Sequence, residues 1–121
     1  MQKLVFIVDD NDANLIVAAS ALEGKYRVLT VLSAQKMFSL LEKKKPDLIL
    51  LDVEMPEISG LEAAARLKEN SRWKDIPVLF LTSYCDEKLL SEAKNSGALE
   101  VINKPFTPSE LLECVKKYLE F

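Results

Sequence analysis

Histidine is absent from this chain, glycine occurs three times, cysteine twice and tryptophan once. Each scarcity removes a class of function. Without imidazole, a metal held by side chains must rest on oxygen or sulfur ligands. Gly24, Gly60 and Gly97 cannot form a Gly-x-x-x-x-Gly-Lys phosphate loop, which argues against direct use of ATP. Cys85 and Cys114 make no disulfide framework at this length, and they fit a reducing compartment and a packing role. No apolar run approaches membrane-spanning length, and Met1 to Val8 is too short, and too soon followed by acids, for a signal peptide. The expected location is cytoplasmic, with no membrane partner. The formal net charge of -3, with lysines scattered among acids, leaves no basic stripe for a nucleic-acid face.

What is present is a chain of 121 residues, 49% hydrophobic, long enough for one core and too short for two. No repeat, low-complexity tract or linker divides it, so residues 1–121 are read as one domain. Four apolar stretches stop abruptly on polar residues: Leu4 to Val8 on Asp9 and Asp10, Leu48 to Leu51 on Asp52, Val78 to Leu81 on Thr82, and Val101 to Asn103 on Lys104. Such short runs, rich in leucine and β-branched residues and without polar alternation, describe strands buried on both faces of a parallel sheet. In a parallel sheet all four endings share one edge, where open α/β sheets hold their ligands.

Helical patterns separate the strands, and the alternation predicts five βα units. Leu15, Ala18, Ala19 and Leu22 share one face of a first helix that ends near Gly24, a residue suited to a left-handed position. Arg27 to Val31 reads as the second strand. Ser33 caps a helix carrying Ala34, Met37, Phe38 and Leu41, with Lys43, Lys44 and Lys45 at its carbonyl end and Pro46 beyond. A third helix follows Gly60 through Leu61, Ala64 and Ala65, and a fourth runs from about Asp86 to Asn95 before Gly97. Thr107, Pro108 and Glu110 form a capping box for the last helix, whose Leu111, Leu112, Val115 and Leu119 face inward.

Asp9, Asp10 and Asp52 gathered at one edge would repel one another, so a cation belongs among them. Oxygen-only ligands point to a hard divalent ion, and Mg²⁺ suits two or three carboxylates with waters and a phosphate oxygen. Lys104 supplies a fixed positive charge and Thr82 a hydroxyl donor. Around a carboxylate, which can itself be the nucleophile, these groups stabilise charge on a transferring phosphoryl group. The pattern reads as an aspartyl-phosphate site. Taken singly, each residue has a plainer explanation: Asp9 or Asp10 as a helix cap, Lys104 as a solvated lysine before a turn proline, Thr82 as a hydroxyl bonding its own backbone. Cys85 reads as a loop or buried thiol and Trp73 as an anchor for the polar stretch Asn70 to Asp75.

Together, Asp9-Asp10-Asn11, Asp52 with Met55-Pro56 and Gly60, Thr82, and Lys104-Pro105-Phe106 resemble the receiver domains of two-component response regulators. The resemblance spans the whole chain. It implies a CheY-like, flavodoxin-like (βα)5 three-layer sandwich with parallel strand order 2-1-3-4-5. It makes Asp52 the phospho-acceptor, with Asp10, Asp52 and the backbone carbonyl of Glu54 on Mg²⁺, Asp9 acting largely through water, and Lys104 and Thr82 on the phosphoryl group. Having no histidine, the chain must receive phosphate from a partner histidine kinase or phosphotransfer protein, or from a small acyl phosphate. On this reading it is a signalling domain that catalyses its own phosphorylation and dephosphorylation. It is either a stand-alone regulator of a downstream effector protein or the receiver of a longer protein with a fused output domain.

Two positions depart from the family's pattern. Val101 stands where many receivers carry an aromatic residue that moves inward when the threonine engages the phosphoryl group. Leu99 replaces an acid used in one subfamily for dimer salt bridges, and with Val101 it is expected to form an apolar patch or to be covered by neighbouring helix side chains. Glu54 and Tyr84 resemble the positions flanking the path of an attacking water, the acid able to orient it and the ring to obstruct it. A flavodoxin would place hydroxyls and amides, not Asp9, Asp10 and Asp12, after the first strand. A haloacid-dehalogenase-type phosphatase would carry Asp at position 54 and a cap domain. The remaining alternative is a receiver-like interaction module that works without phosphorylation.

Overall fold

The computed structural model describes residues 2–120. Along the chain run β1 (Leu4–Val8), α1 (Asp12–Leu22), β2 (Arg27–Val31), α2 (Ala34–Leu41), β3 (Leu48–Asp52), α3 (Gly60–Glu69), β4 (Val78–Thr82), α4 (Glu87–Asn95), β5 (Glu100–Asn103) and α5 (Pro108–Leu119). The strands pair in parallel in the order β2-β1-β3-β4-β5, as the resemblance implied.

Successive side chains of a strand point to opposite faces, so a strand apolar at every position feeds two cores. Leu4, Phe6, Val8, Ile49, Leu51, Val78 and Phe80 pack on one face with α2, α3 and α4, through residues such as Met37, Ala64 and Leu89. Val5, Ile7, Leu48, Leu50, Leu79 and Leu81 pack on the other with α1 and α5, through Leu15, Leu22, Leu111 and Val115. β1, β3 and β4 are buried throughout, whereas β2 and β5 lie at the sheet margins and are partly exposed. Full burial of one such leucine or phenylalanine stabilises the fold by roughly 1.5–3 kcal/mol.

Local signals set the helix bounds. Asn11, Ser33, Ser59, Asp86 and Thr107 each accept a backbone N–H from the first turn of the helix that follows. The capping box of α5 is present in both directions. Three expectations shift. α2 closes at Leu41, so Lys43, Lys44 and Lys45 lie beyond its last turn, where Lys43 and Lys44 donate their backbone N–H groups to the Leu40 carbonyl. In α3 the buried face is Gly60, Ala63, Ala64 and Leu67, leaving Ala65 exposed, because Leu67 rather than Leu61 sets the phase. In α1 and α5, Ala19 and Leu112 are only half-buried.

Candidate functional site

Among the described residues, the buried polar side chains are Asp9, Asp52 and Thr82. Asp52 and Thr82 end β3 and β4, and Asp9 directly follows β1, all on one sheet edge. Burial of charge demands partners, and each has them. Asp9 Oδ1 accepts the Asn11 backbone N–H at 2.9 Å, and its Oδ2 accepts from Lys104 Nζ at 2.8 Å. The same ammonium donates to Asp52 Oδ1 at 3.1 Å. Lys104 reaches this point because β5 delivers it one residue past Asn103, where its backbone N–H bonds the Thr82 carbonyl at 2.7 Å. Its side chain is 13% exposed, so its charge acts in a poorly solvated setting.

The end of β3 that carries Asp52 is held from behind. Gly60 N donates to the Val53 carbonyl at 2.9 Å, and a Cβ at Gly60 would lie 2.3 Å from the Asp52 carbonyl oxygen. Only glycine lets α3 begin so close to β3.

Carboxylate oxygens of Asp9, Asp10 and Asp52 lie within 4.8 Å of one another. Burial pushes the Asp52 carboxyl up to about 6; the Lys104 hydrogen bond pulls against this, and the charges of Asp9 and Glu54 add to the rise. At Lys104, burial works against the charge but the hydrogen bonds to Asp9 and Asp52 prevail, so its pKa lies above the ordinary value. One ammonium among three carboxylates leaves the cluster short of positive charge. A hard divalent cation with oxygen ligands, such as Mg²⁺, fits that donor set.

Thr82 Oγ1 lies 2.8 and 3.0 Å from the two Glu54 carboxylate oxygens and accepts the Tyr84 backbone N–H at 3.1 Å. Ser83 donates its N–H and its hydroxyl to Glu54 Oε1, each at 3.3 Å. Tyr84 is 70% exposed, and its main chain is what meets Thr82.

A family model described as the response regulator receiver domain matches residues 5–116. The chain belongs to this family. It is 32% identical over 120 residues to the polar-differentiation response regulator DivK of Brucella ovis, covering 98% of each protein. Among solved structures, the receiver superposes on the chemotaxis protein CheY4 of Vibrio cholerae with a TM-score of 0.92 at 28% identity, over 98% of this chain and 99% of that one. The DrrB receiver domain of Thermotoga maritima, in its BeF3-activated form, gives 0.90 at 29% identity over 100% of both chains.

The receiver's Asp9, Asp10, Asp52, Thr82 and Lys104 thus meet at one edge, as their strand-end positions implied. Two features had no signal in the sequence: the double engagement of Lys104 with Asp9 and Asp52, and the grip of the Glu54 side chain on Thr82 and Ser83. Partners 28 residues apart cannot be paired by pattern alone. At the far end of the receiver's β5, Leu99 is 51% exposed beside α4, whose Leu90 is 50% exposed, whereas Val101 is half-buried against the core.

Proposed function

We propose that this receiver accepts a phosphoryl group on Asp52 from a phosphohistidine of a partner histidine kinase or phosphotransfer protein, and thereby switches its contact with a downstream effector or a fused output domain. The observation that supports it is that, among the described residues, the buried polar side chains are Asp9, Asp52 and Thr82, with Lys104 joining the two acids. A core of this kind tolerates buried charge where it serves chemistry.

An oxygen of ionised Asp52 attacks phosphorus. The new P–O bond forms as the P–N bond breaks, and its electron pair stays on the imidazole nitrogen, which is protonated from solvent. The phosphoryl group carries about two negative charges. Lys104, already 3.1 Å from Asp52 Oδ1, meets part of that charge, and the Thr82 hydroxyl is the nearby donor for a phosphoryl oxygen. Mg²⁺, held by Asp10, Asp52 and the Glu54 backbone carbonyl with Asp9 close by, would neutralise charge on the transferring oxygens. Hydrolysis reverses the modification: water attacks phosphorus, the bond to Asp52 breaks, and the carboxylate is restored as phosphate leaves. The receiver promotes both steps on itself, in the cytoplasm where such donors act.

Mixing the protein and Mg²⁺ with a histidine-phosphorylated donor domain tests this reading. Label should pass to the wild type and not to Asp52→Asn. Label retained by that variant would overturn the assignment, and failure of the wild type to take label from any donor would favour a phosphorylation-independent interaction module.

A further inference from the structure

The Glu54 side chain occupies the donors that a phosphoryl group on Asp52 would need. Thr82 Oγ1 has a single proton, and its acceptors are the two Glu54 oxygens at 2.8 and 3.0 Å and the Tyr84 carbonyl at 2.9 Å. The Tyr84 N–H bond uses the hydroxyl oxygen as acceptor, so it does not occupy the one proton Thr82 can give, for which these oxygens compete. A carboxylate is the stronger competitor for it, since a charged acceptor roughly doubles the strength of a hydrogen bond. The same carboxylate collects the Ser83 N–H and hydroxyl at 3.3 Å. An anionic group with two oxygens, drawing three donors from the end of β4, imitates part of a phosphoryl group.

We propose that Glu54 is a positioning residue that acts through Thr82: it holds the end of β4 in the unphosphorylated arrangement and must release the hydroxyl when an anion forms on Asp52. This rests on the assignment of Asp52 as acceptor and names what sets the threshold of that site. Glu54 follows the acceptor by two residues and bonds across to the next strand, so capture of Thr82 and occupancy of Asp52 compete within one short stretch of chain. Glu54→Gln keeps an acceptor but loses the charge, and Glu54→Ala loses both.

Beryllofluoride with Mg²⁺ provides a stable phosphoryl mimic, and its half-saturation can be followed by the Thr82 and Ser83 amide resonances. Glu54→Ala should bind it more tightly by several-fold to about tenfold, the worth of one charge-assisted hydrogen bond at a partly exposed position. Glu54→Gln should fall between Glu54→Ala and wild type. In a Thr82→Ala background the Glu54→Ala gain should largely vanish, because the residue it acts through has gone. A gain of the same size in that background would mean that Glu54 acts by charge repulsion alone and would overturn the proposal. Equal half-saturation in wild type and Glu54→Ala would overturn it as well, while leaving Asp52 as acceptor untouched. Absence of binding in all variants would defeat the acceptor assignment and this inference with it.

Discussion

Lys104 lies between two buried carboxylates, and that location gives its side chain more weight than a surface lysine carries. Exposed ion pairs contribute little, whereas removing one member of a buried set leaves charge without a partner. Lys104→Met keeps the stem's packing but leaves Asp9 and Asp52 facing each other, so urea unfolding without divalent cation should show a loss of about 2–4 kcal/mol. Mg²⁺ should restore part of it, and unchanged stability would contradict the role. Cys114 illustrates a different residue-scale effect. Burial, and then its hydrogen bond to Glu100 at 3.0 Å, push the thiol up to about 12. A raised folded value means that the fold favours the protonated thiol, so this contribution is complete below the ordinary 9.0 and fades as pH rises towards 12. At pH 8 a thiol-reactive disulfide reagent should therefore titrate half-buried Cys85 and spare Cys114 until denaturant is added. Rapid reaction of both in the native protein would contradict it.

At the scale of elements, the junction of β3 with α3 calls for the closest test, because it aims Asp52. A methyl group at Gly60 meets the Asp52 carbonyl and the Val53 Cα, backbone atoms that cannot swing aside. Gly60→Ala should destabilise the protein by about 1–3 kcal/mol, as overpacking does, and should lower phosphoryl uptake, because relief requires moving the strand end that carries Asp52. Wild-type stability and uptake together would disprove the close approach. The elements themselves were legible in advance. Strands apolar at every position admit burial on two faces, and cap residues such as Ser33 and Thr107 mark helix starts unambiguously. Helix phase was less legible. In α3 consecutive alanines allow several faces, and the choice between Ala63 and Ala65 waits on packing against the sheet. The β3–α3 loop also holds Glu57 at φ 68°, a left-handed conformation that its residue type does not announce.

Taken whole, the molecule separates chemistry from the surface around it. Acids, hydroxyl and ammonium collect where β1, β3, β4 and β5 end, since parallel strands bring the residues after them to one edge. That convergence followed from sequence because it depends on topology alone. What did not follow was which oxygen meets which donor: Lys104 joining Asp9 to Asp52, and Glu54 claiming Thr82, are outcomes of side-chain geometry across long sequence separations. The exposed Leu90 and Leu99 lie apart from that edge, on α4 and just before β5. If Asp52 accepts the phosphoryl group with the help of its neighbours and a divalent cation, the modification must depend on both. Mass spectrometry after incubation with acetyl phosphate and Mg²⁺ tests it most directly. One added phosphoryl group is expected, mapped to the peptide containing Asp52, lost on chelation and absent from Asp52→Asn; a group on any other residue, or uptake that ignores both changes, would rule out Asp52 as the acceptor.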